Sequence, residues 1–503
     1  MAGAYNVVEI MRHSQEVFMK KIMLMIVAVV MTMFCVFSVA GCNQDPTPGP
    51  DDEDPKPNES QIQFALRTDS ITNEEYYAAV GVTDEAIVNL VIPETYQGKE
   101  VRAIEAIPEQ GGYRFNGNKN IVSITVPKTI KNIKVSALNG LTNLKTVNWN
   151  AEDAYISMVG ASTKNDRLFQ GSKVEKLVIG KDVKVMPELF PKDDWSRSYI
   201  EELVVPDTLE RFDGSVWSRK VINVKVSSFD KWVDLYTAKD GRGTSAFIND
   251  KINLYVDGKL VEDLVIPESI TELNAMFSYI ESIKSVKLHK NVKALYTSYG
   301  DVYALCDIPN LQKIEVEEGS THYAAKDNIL YNADFTEMIF VPYLIEGEVV
   351  VPETVTEIKE QQFINRTKMT KIVINNTKNE AAQKGYSQNV FTGCTSLETI
   401  IIADGFTGFR DFTFKGCPNI KTVIVPASMV SVGRCVLEDS PNAIIYSLST
   451  EMYSIKYSNS NHDSEGKYNT TRRAYYSETY QEAISNKLMY WHYAEDGVTP
   501  VVW

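Results

Sequence analysis

Hydrophobic residues recur along this chain in short blocks that end at the same kind of position. Leu90-Val91-Ile92-Pro93 returns as Ile124-Thr125-Val126-Pro127, Leu203-Val204-Val205-Pro206, Leu264-Val265-Ile266-Pro267, Val349-Val350-Val351-Pro352 and Val423-Ile424-Val425-Pro426. Blocks without the proline include Leu177-Val178-Ile179-Gly180, Val286-Lys287-Leu288-His289 and Ile400-Ile401-Ile402-Ala403. From Gly180 to Pro206, Pro267 to His289 and Ala403 to Pro426 the spacing is 26, 22 and 23 residues. Wider gaps hold degenerate copies or insertions. Within one copy, Ile420-Lys421-Thr422-Val423-Ile424-Val425 is apolar at its first, fourth and sixth positions, which predicts a short strand with alternate residues facing in and out. The proline that follows has no N–H to give the ladder, so the chain turns there. Each coil then carries an apolar side that only its neighbours can cover, and the coils are expected to stack into a solenoid.

The expected fold is therefore mostly β and poor in helix. A parallel sheet lines one face, short turns or helices line the other, and β caps close both ends. A period in the low twenties is that of leucine-rich repeats. The units resemble the BspA-like leucine-rich repeats of bacterial surface proteins, most clearly at Val390-Phe391-Thr392-Gly393-Cys394-Thr395-Ser396-Leu397 and Phe412-Thr413-Phe414-Lys415-Gly416-Cys417-Pro418-Asn419-Ile420. Tyr323-Ala324-Ala325-Lys326-Asp327-Asn328-Ile329-Leu330-Tyr331-Asn332 and Leu254-Tyr255-Val256-Asp257-Gly258-Lys259-Leu260 carry the same likeness. The Ile-Gly that the family prefers after the proline turn is mostly missing. The resemblance covers residues 85–446 and speaks to fold more than to function, because one fold hosts many binding activities.

The N-terminus reads as an address. Met19-Lys20-Lys21 precedes an apolar run from Ile22 to Val39, the charged and hydrophobic regions of a secretory signal peptide. Its length also approaches the roughly 20 residues of a membrane span. Ser38-Val39-Ala40-Gly41-Cys42 resembles the bacterial lipobox, which implies cleavage before Cys42 and a covalent lipid on it. The expected organisation is an upstream extension or mis-assigned start (1–18), a lipoprotein signal peptide (19–41), an acidic, proline-rich tether (42–60), an N-terminal cap (61–110), the solenoid (111–446, with an insertion near 227–251) and a C-terminal aromatic cap (447–503). The tether is similar to surface-export signals of some Gram-negative anaerobes' lipoproteins, and equally to a plain spacer. The implied location is the bacterial outer membrane, at the cell surface.

Charge and chemistry narrow the function. Fifty-one basic against 66 acidic residues leave a formal charge of −15, which argues against nucleic acid as a partner. Four cysteines lie beyond the signal and lipid site: Cys306, Cys394, Cys417 and Cys435. Cys394 and Cys417 occupy the same place in successive repeats and read as core residues, with a bridge between adjacent coils the alternative. The five histidines (His13, His289, His322, His462 and His492) are scattered, and no catalytic or metal-binding motif accompanies them. Glu315, Glu317 and Glu318 alternate with Ile314 and Val316 as a solvated strand face would. No cofactor, catalytic residue or metal site is expected, and the chain is taken as a binding protein and not an enzyme.

Partners would meet the outward columns of the parallel strands. The first column reads Ser123, Thr146, Lys176, Glu202, Ser285, Lys313, Lys371, Thr399 and Thr422; the second reads Thr125, Asn148, Val178, Val204, Lys287, Glu315, Val373, Ile401 and Ile424. The members from Lys176 and Val178 onward, apart from Ser285, are the candidate contacts. Their apolar members also suit β propensity alone. A protein ligand, such as a host matrix component or another cell's surface, is the leading expectation. Glycan binding through Trp232, Trp491 and the tyrosines, or a scaffold role in an envelope complex, are the alternatives. The insertion carries Phe229, Trp232 and Tyr236 ahead of Gly241-Arg242-Gly243; Trp232 and Tyr236, four apart, would share a helical face, which suits core packing, with recognition by an inserted loop the lesser alternative.

Overall fold

The computed structural model describes residues 57–503, apart from residues 106, 108–111, 159–166, 191–198, 214–217, 219, 237–250, 274, 296–304, 306–307, 357, 359–361, 376–388, 451–455, 458–471 and 486–487. The segment expected as a signal peptide, Cys42, Cys306 and Gly241-Arg242-Gly243 lie outside the described residues. What is described is a solenoid, nearly all sheet with almost no helix. Along its principal face the parallel strands Asn89–Val91, Ser123–Val126, Thr146–Trp149, Lys176–Ile179, Glu202–Val204, Ile222–Val226 and Ile252–Val256 follow one another in space as in sequence. A separate group of three follows: Asp263–Val265, Ser285–Leu288 and Lys313–Val316. The third group runs Gly347–Val351, Met369–Ile374, Thr399–Ile402, Thr422–Val425, Ile444–Ser447, Arg472–Tyr476 and Leu488–Tyr493, closed by the antiparallel Pro500–Val502.

Each of the two breaks coincides with a hairpin. Asp257 and Gly258 turn the first at φ 49° and 70°, and Asp327 and Asn328 turn the second at 52° and 67°. Two successive left-handed residues match the right-handed twist of the flanking strands, and Asp, Asn and Gly tolerate that backbone best. The hairpins interrupt the ladder because their strands run antiparallel to one another where the next parallel strand would have been.

The turn side of the coil explains the Phe-x-Gly motif. The residue two positions after Phe115, Leu138, Phe363, Phe391, Phe414 and Leu437 is always left-handed, and it is Gly, Asn or Asp: Gly117, Gly140, Asn365, Gly393, Gly416 and Asp439. Its amide donates to the neighbouring coil, as from Gly393 to the Lys415 carbonyl at 2.9 Å and from Gly416 to that of Glu438 at 3.2 Å. The phenylalanines stack inside. Phe363 and Phe391 lie 4.9 Å apart between centroids, and all three of Phe363, Phe391 and Phe414 are fully buried. Behind them Cys394 and Cys417 are free, buried thiols that donate to the carbonyls of Phe363 and Phe391, each at 3.1 Å. Ser440 takes the equivalent place one coil later and donates to the Cys417 carbonyl at 2.8 Å. These cysteines thus serve as small core groups.

Both ends are closed by chain that the repeat pattern does not describe. Asn58, expected in the tether, covers the exposed edge of the first parallel strand: its backbone amide donates to the Val91 carbonyl at 3.2 Å, and its side-chain oxygen accepts from the Val91 amide at 2.7 Å. The parallel sheet begins at Asn89, inside the segment expected as cap, with the antiparallel pair Ile62–Thr68 and Glu75–Val82 preceding it. It likewise runs on past residue 447, because Arg472–Tyr476 and Leu488–Tyr493 still add in parallel. Strand geometry persists there without the proline signature, which is why the boundary was not visible in sequence. Helix Phe229–Tyr236 packs as its spacing suggests, with Trp232 fully buried and its indole N–H donating to the Met276 carbonyl at 2.9 Å.

Candidate functional site

The parallel register sets the outward columns. Ser123, Thr146, Lys176 and Glu202 stand opposite one another across successive strands, and Asn223 and Asn253 continue that column. Thr125, Asn148, Val178 and Val204 form the second, continued by Lys225 and Tyr255. The sequence pattern missed these four additions because Ile222–Val226 and Ile252–Val256 lack the terminal proline. Their alternation of apolar and polar residues was the available signal. Lys176 and Lys225 each hold the Glu202 carboxylate at 2.9 Å. Partial burial would raise that carboxyl, but the two ammonium groups outweigh it and keep it below the usual carboxylate range.

In the last third of the solenoid, Lys371, Thr399 and Thr422 share the first column with Glu348, and Val373, Ile401 and Ile424 share the second with Val350 and Tyr446. Lys371 pairs with Glu348 at 3.2 Å. Ile424 differs from its expected exposure. Only 5% exposed, it packs with Ile444, Tyr446, Ala474, Met489 and Trp491, and half-buried Ile401 leans on the same cluster. Ile424 therefore belongs to an apolar cluster on the protein's own outward face and offers a partner no surface. Trp491, fully buried, donates its indole N–H to the Ser447 carbonyl at 2.9 Å. With Trp232 also in the core, both tryptophans that suggested sugar stacking are structural.

The three-stranded middle group is the open part. Lys287, Lys313 and Glu315 are exposed on it, Lys287 lying directly across from Glu315. They form the floor of an open cleft of about 470 Å³, within the span of ligand sites at about 300–1,000 Å³. Glu317, Glu318, Ile314 and Val316 complete the floor, and Lys326, Asp327 and Asn328 of the hairpin form a wall. Lys313 is paired with Glu315, and Glu317 accepts the Lys290 amide at 3.0 Å. Lys287 and Lys326 have no ion-pair partner among the described residues. The cleft thus sets one ion pair, Lys313 with Glu315, among further carboxylates and two ammonium groups that have no ion-pair partner among the described residues, an arrangement fit for polar recognition. Sequence reasoning found the floor through its columns but not the wall, since Asp327-Asn328 was legible only as a repeat motif. His289, near the cleft in sequence, is buried and its ring nitrogen meets the Ile270 carbonyl at 2.9 Å. Among the described residues no cluster of three or more metal-ligating side chains occurs.

A family model described as BspA type leucine rich repeat region matches in six copies, over residues 97–194, 253–377 and 346–458. Among solved structures the chain is similar to the pneumococcal vaccine antigen PcpA, at 17% identity over 83% of this chain and 92% of that one, with a TM-score of 0.31. It is similar to a leucine-rich repeat protein from Bacteroides ovatus at 13% identity, 83% and 94% coverage and a TM-score of 0.38. A leucine rich cell surface protein from Faecalibacterium prausnitzii matches at 15% identity, 83% and 95% coverage and 0.31. No curated protein matches the sequence.

Proposed function

We propose, from the premise that the chain belongs to the BspA-type leucine-rich repeat family, that it is a protein-binding module held at a bacterial cell surface by a lipid on Cys42. One observation carries the binding half: the outward strand face is open and charged at Lys287, Lys313 and Glu315, where the cleft lies, while at the C-terminal end the same face is closed by Trp491 and its neighbours. Solenoids recognise partners through such regular surfaces. Adhesion to a host protein or another cell is the use we infer for it. The anchoring half rests on the apolar run from Ile22 to Val39 and the residues before Cys42.

Protease shaving of intact cells, with a periplasmic protein as leakage control, tests the location. We expect loss of the repeat domain with the control intact. Protection until the outer envelope is broken would refute display at the surface. Cys42→Ala should release the chain from the membrane fraction with its repeats folded; a variant still retained through an uncleaved apolar span would refute the lipid anchor.

A further inference from the structure

The first strand of each of the three groups has a parallel partner on one side only, so its second-column residue lacks a strand neighbour on the other. At the first group Val91 is buried, with Asn58 capping its strand, and at the third Val350 is half-buried. At the middle group Val265 is 57% exposed. It stands opposite Lys287, which stands opposite Glu315, so the three form one row across the sheet at a spacing of about 4.8 Å. Leu260, also exposed, lies opposite Tyr255 on the hairpin that ends the first group, and only Val261 and Glu262 separate it from Asp263–Val265. Opposed residues on paired strands share a face, so Leu260 points outward with Tyr255. The charges of this face are otherwise met within the chain. Lys176 and Lys225 hold Glu202, Lys371 holds Glu348, Lys313 holds Glu315, and Ser285 donates its hydroxyl to Asp263. Among the described residues, Lys287 is the one lysine of the two outward columns without a carboxylate partner, and it stands beside the bare valine.

We propose that Val265 and Lys287 are the anchor for a segment of a partner protein that sets an apolar side chain beside a carboxylate. The apolar group covers Val265, the carboxylate meets the Lys287 ammonium, and a second acidic residue reaches Lys326 on the hairpin wall of the cleft. Covering the valine supplies an attraction without direction. The ammonium supplies the choice, because a segment with a basic residue there is repelled. An apolar contact ringed by polar groups is how interface anchors are commonly built. Singly, an exposed valine or an exposed lysine is ordinary surface; the assignment comes from their adjacency on a face whose other outward lysines are all paired. An acidic glycan would satisfy Lys287 but would set hydroxyl-rich surface against Val265 and Leu260, so the structure favours a protein segment. The proposal rests on the outward face being the binding surface and specifies what that surface selects.

The test selects a phage-displayed library of short random peptides on the detergent-solubilised full chain. The same selection is run on a Lys287→Glu, Lys326→Glu double variant, and Val265→Thr keeps the β-branched shape while removing apolar surface. A cooperative thermal melt confirms that each variant is folded. Selection on the parent should enrich peptides with Asp or Glu beside an apolar residue, and on the double variant the enriched charge should switch to Lys or Arg. The strongest parent peptide, made synthetically, should bind Val265→Thr about fourfold more weakly, the scale of one buried methylene. It should bind the double variant about tenfold more weakly, as two attractions become repulsions. Enrichment without acidic residues, the same enrichment on parent and double variant, or undiminished affinity in Val265→Thr overturns the proposal. Binding of polygalacturonate with no acidic peptide enriched would give the site to an acidic glycan and overturn it too. Should the selection fail while a photo-activated cross-linker at position 287 still captures a discrete protein on cells, this anchor alone is refuted and the binding-face reading stands.

Discussion

Phe391 lies flat against Phe414, one coil apart, with ring centroids separated by 5.0 Å and planes inclined by 16°. Neither ring touches solvent. Phe391→Ala removes the middle member of a stack of three and opens a cavity that the neighbouring coils cannot close, at a cost of about 3–5 kcal/mol. Because coils depend mainly on their immediate neighbours, hydrogen exchange should accelerate in residues 389–425 well before it does at Ser123–Val126. Uniform acceleration along the solenoid would contradict this local coupling.

Gly393 and Gly416 hold the same turn position but differ in what surrounds them. A Cβ on Gly393 would fall 2.1 Å from the Asn365 side-chain oxygen, whereas one on Gly416 would meet only backbone atoms of Gly393 at 3.7 Å. Both are left-handed, so Ala at either is strained by roughly 1–2 kcal/mol. Gly393→Ala is expected to lower the thermal midpoint more than Gly416→Ala, since Asn365 must also move. Equal midpoints for the two variants would remove the steric part of this explanation.

Glu202 gives the solenoid an acid-sensitive clasp. Its carboxyl is depressed in the folded state by Lys176 and Lys225 relative to the unfolded value of about 4.3. A depressed carboxyl contributes stability above the unfolded value and loses it as pH falls through the folded one. Glu202→Gln should thus be less stable than the parent at pH 7 and should lose less stability between pH 6 and pH 3.5. Thermal melts at the two pH values measure this, and an identical pH dependence in both proteins would show that the clasp contributes nothing.

The paired thiols should be inert. The neighbouring Cys394 thiol and burial push the Cys417 thiol well above the ordinary cysteine range, while the contact with Cys417 draws the Cys394 thiol down; both sulfurs are fully buried, and that burial keeps a thiol reagent from either. Native protein treated with iodoacetamide should carry no label at Cys394 or Cys417, and urea-unfolded protein should carry label at both. Rapid native labelling at either would place that sulfur outside the core.

Much of this architecture is written in the sequence as repetition. The Val-Ile-Val-Pro blocks locate the parallel strands, and the alternation within them gives the register that aligns Lys176 with Glu202 and Lys313 with Ser285. The legible part is what depends on local pattern. Asn58 was not legible, because a side chain that caps a distant strand leaves no periodic trace. Ile424 misled for a related reason: outward on its strand, it is buried by Tyr446 and Trp491, which come from later coils. The cleft wall escaped because nothing in Lys326-Asp327-Asn328 says that its turn leans over the end of Lys313–Val316. Its left-handed pair was readable, but its position depends on the break in the sheet.

The central claim, that a partner binds the outward face at the cleft, is tested most directly by placing a photo-activated cross-linking residue at position 287 in the full chain and irradiating cells in contact with their natural surroundings. The same residue at position 424, which the C-terminal cluster buries, is the control. We expect one discrete protein adduct from position 287 and none from position 424. Equal adducts at both positions, or none at 287 while other positions on the solenoid yield one, would contradict the claim.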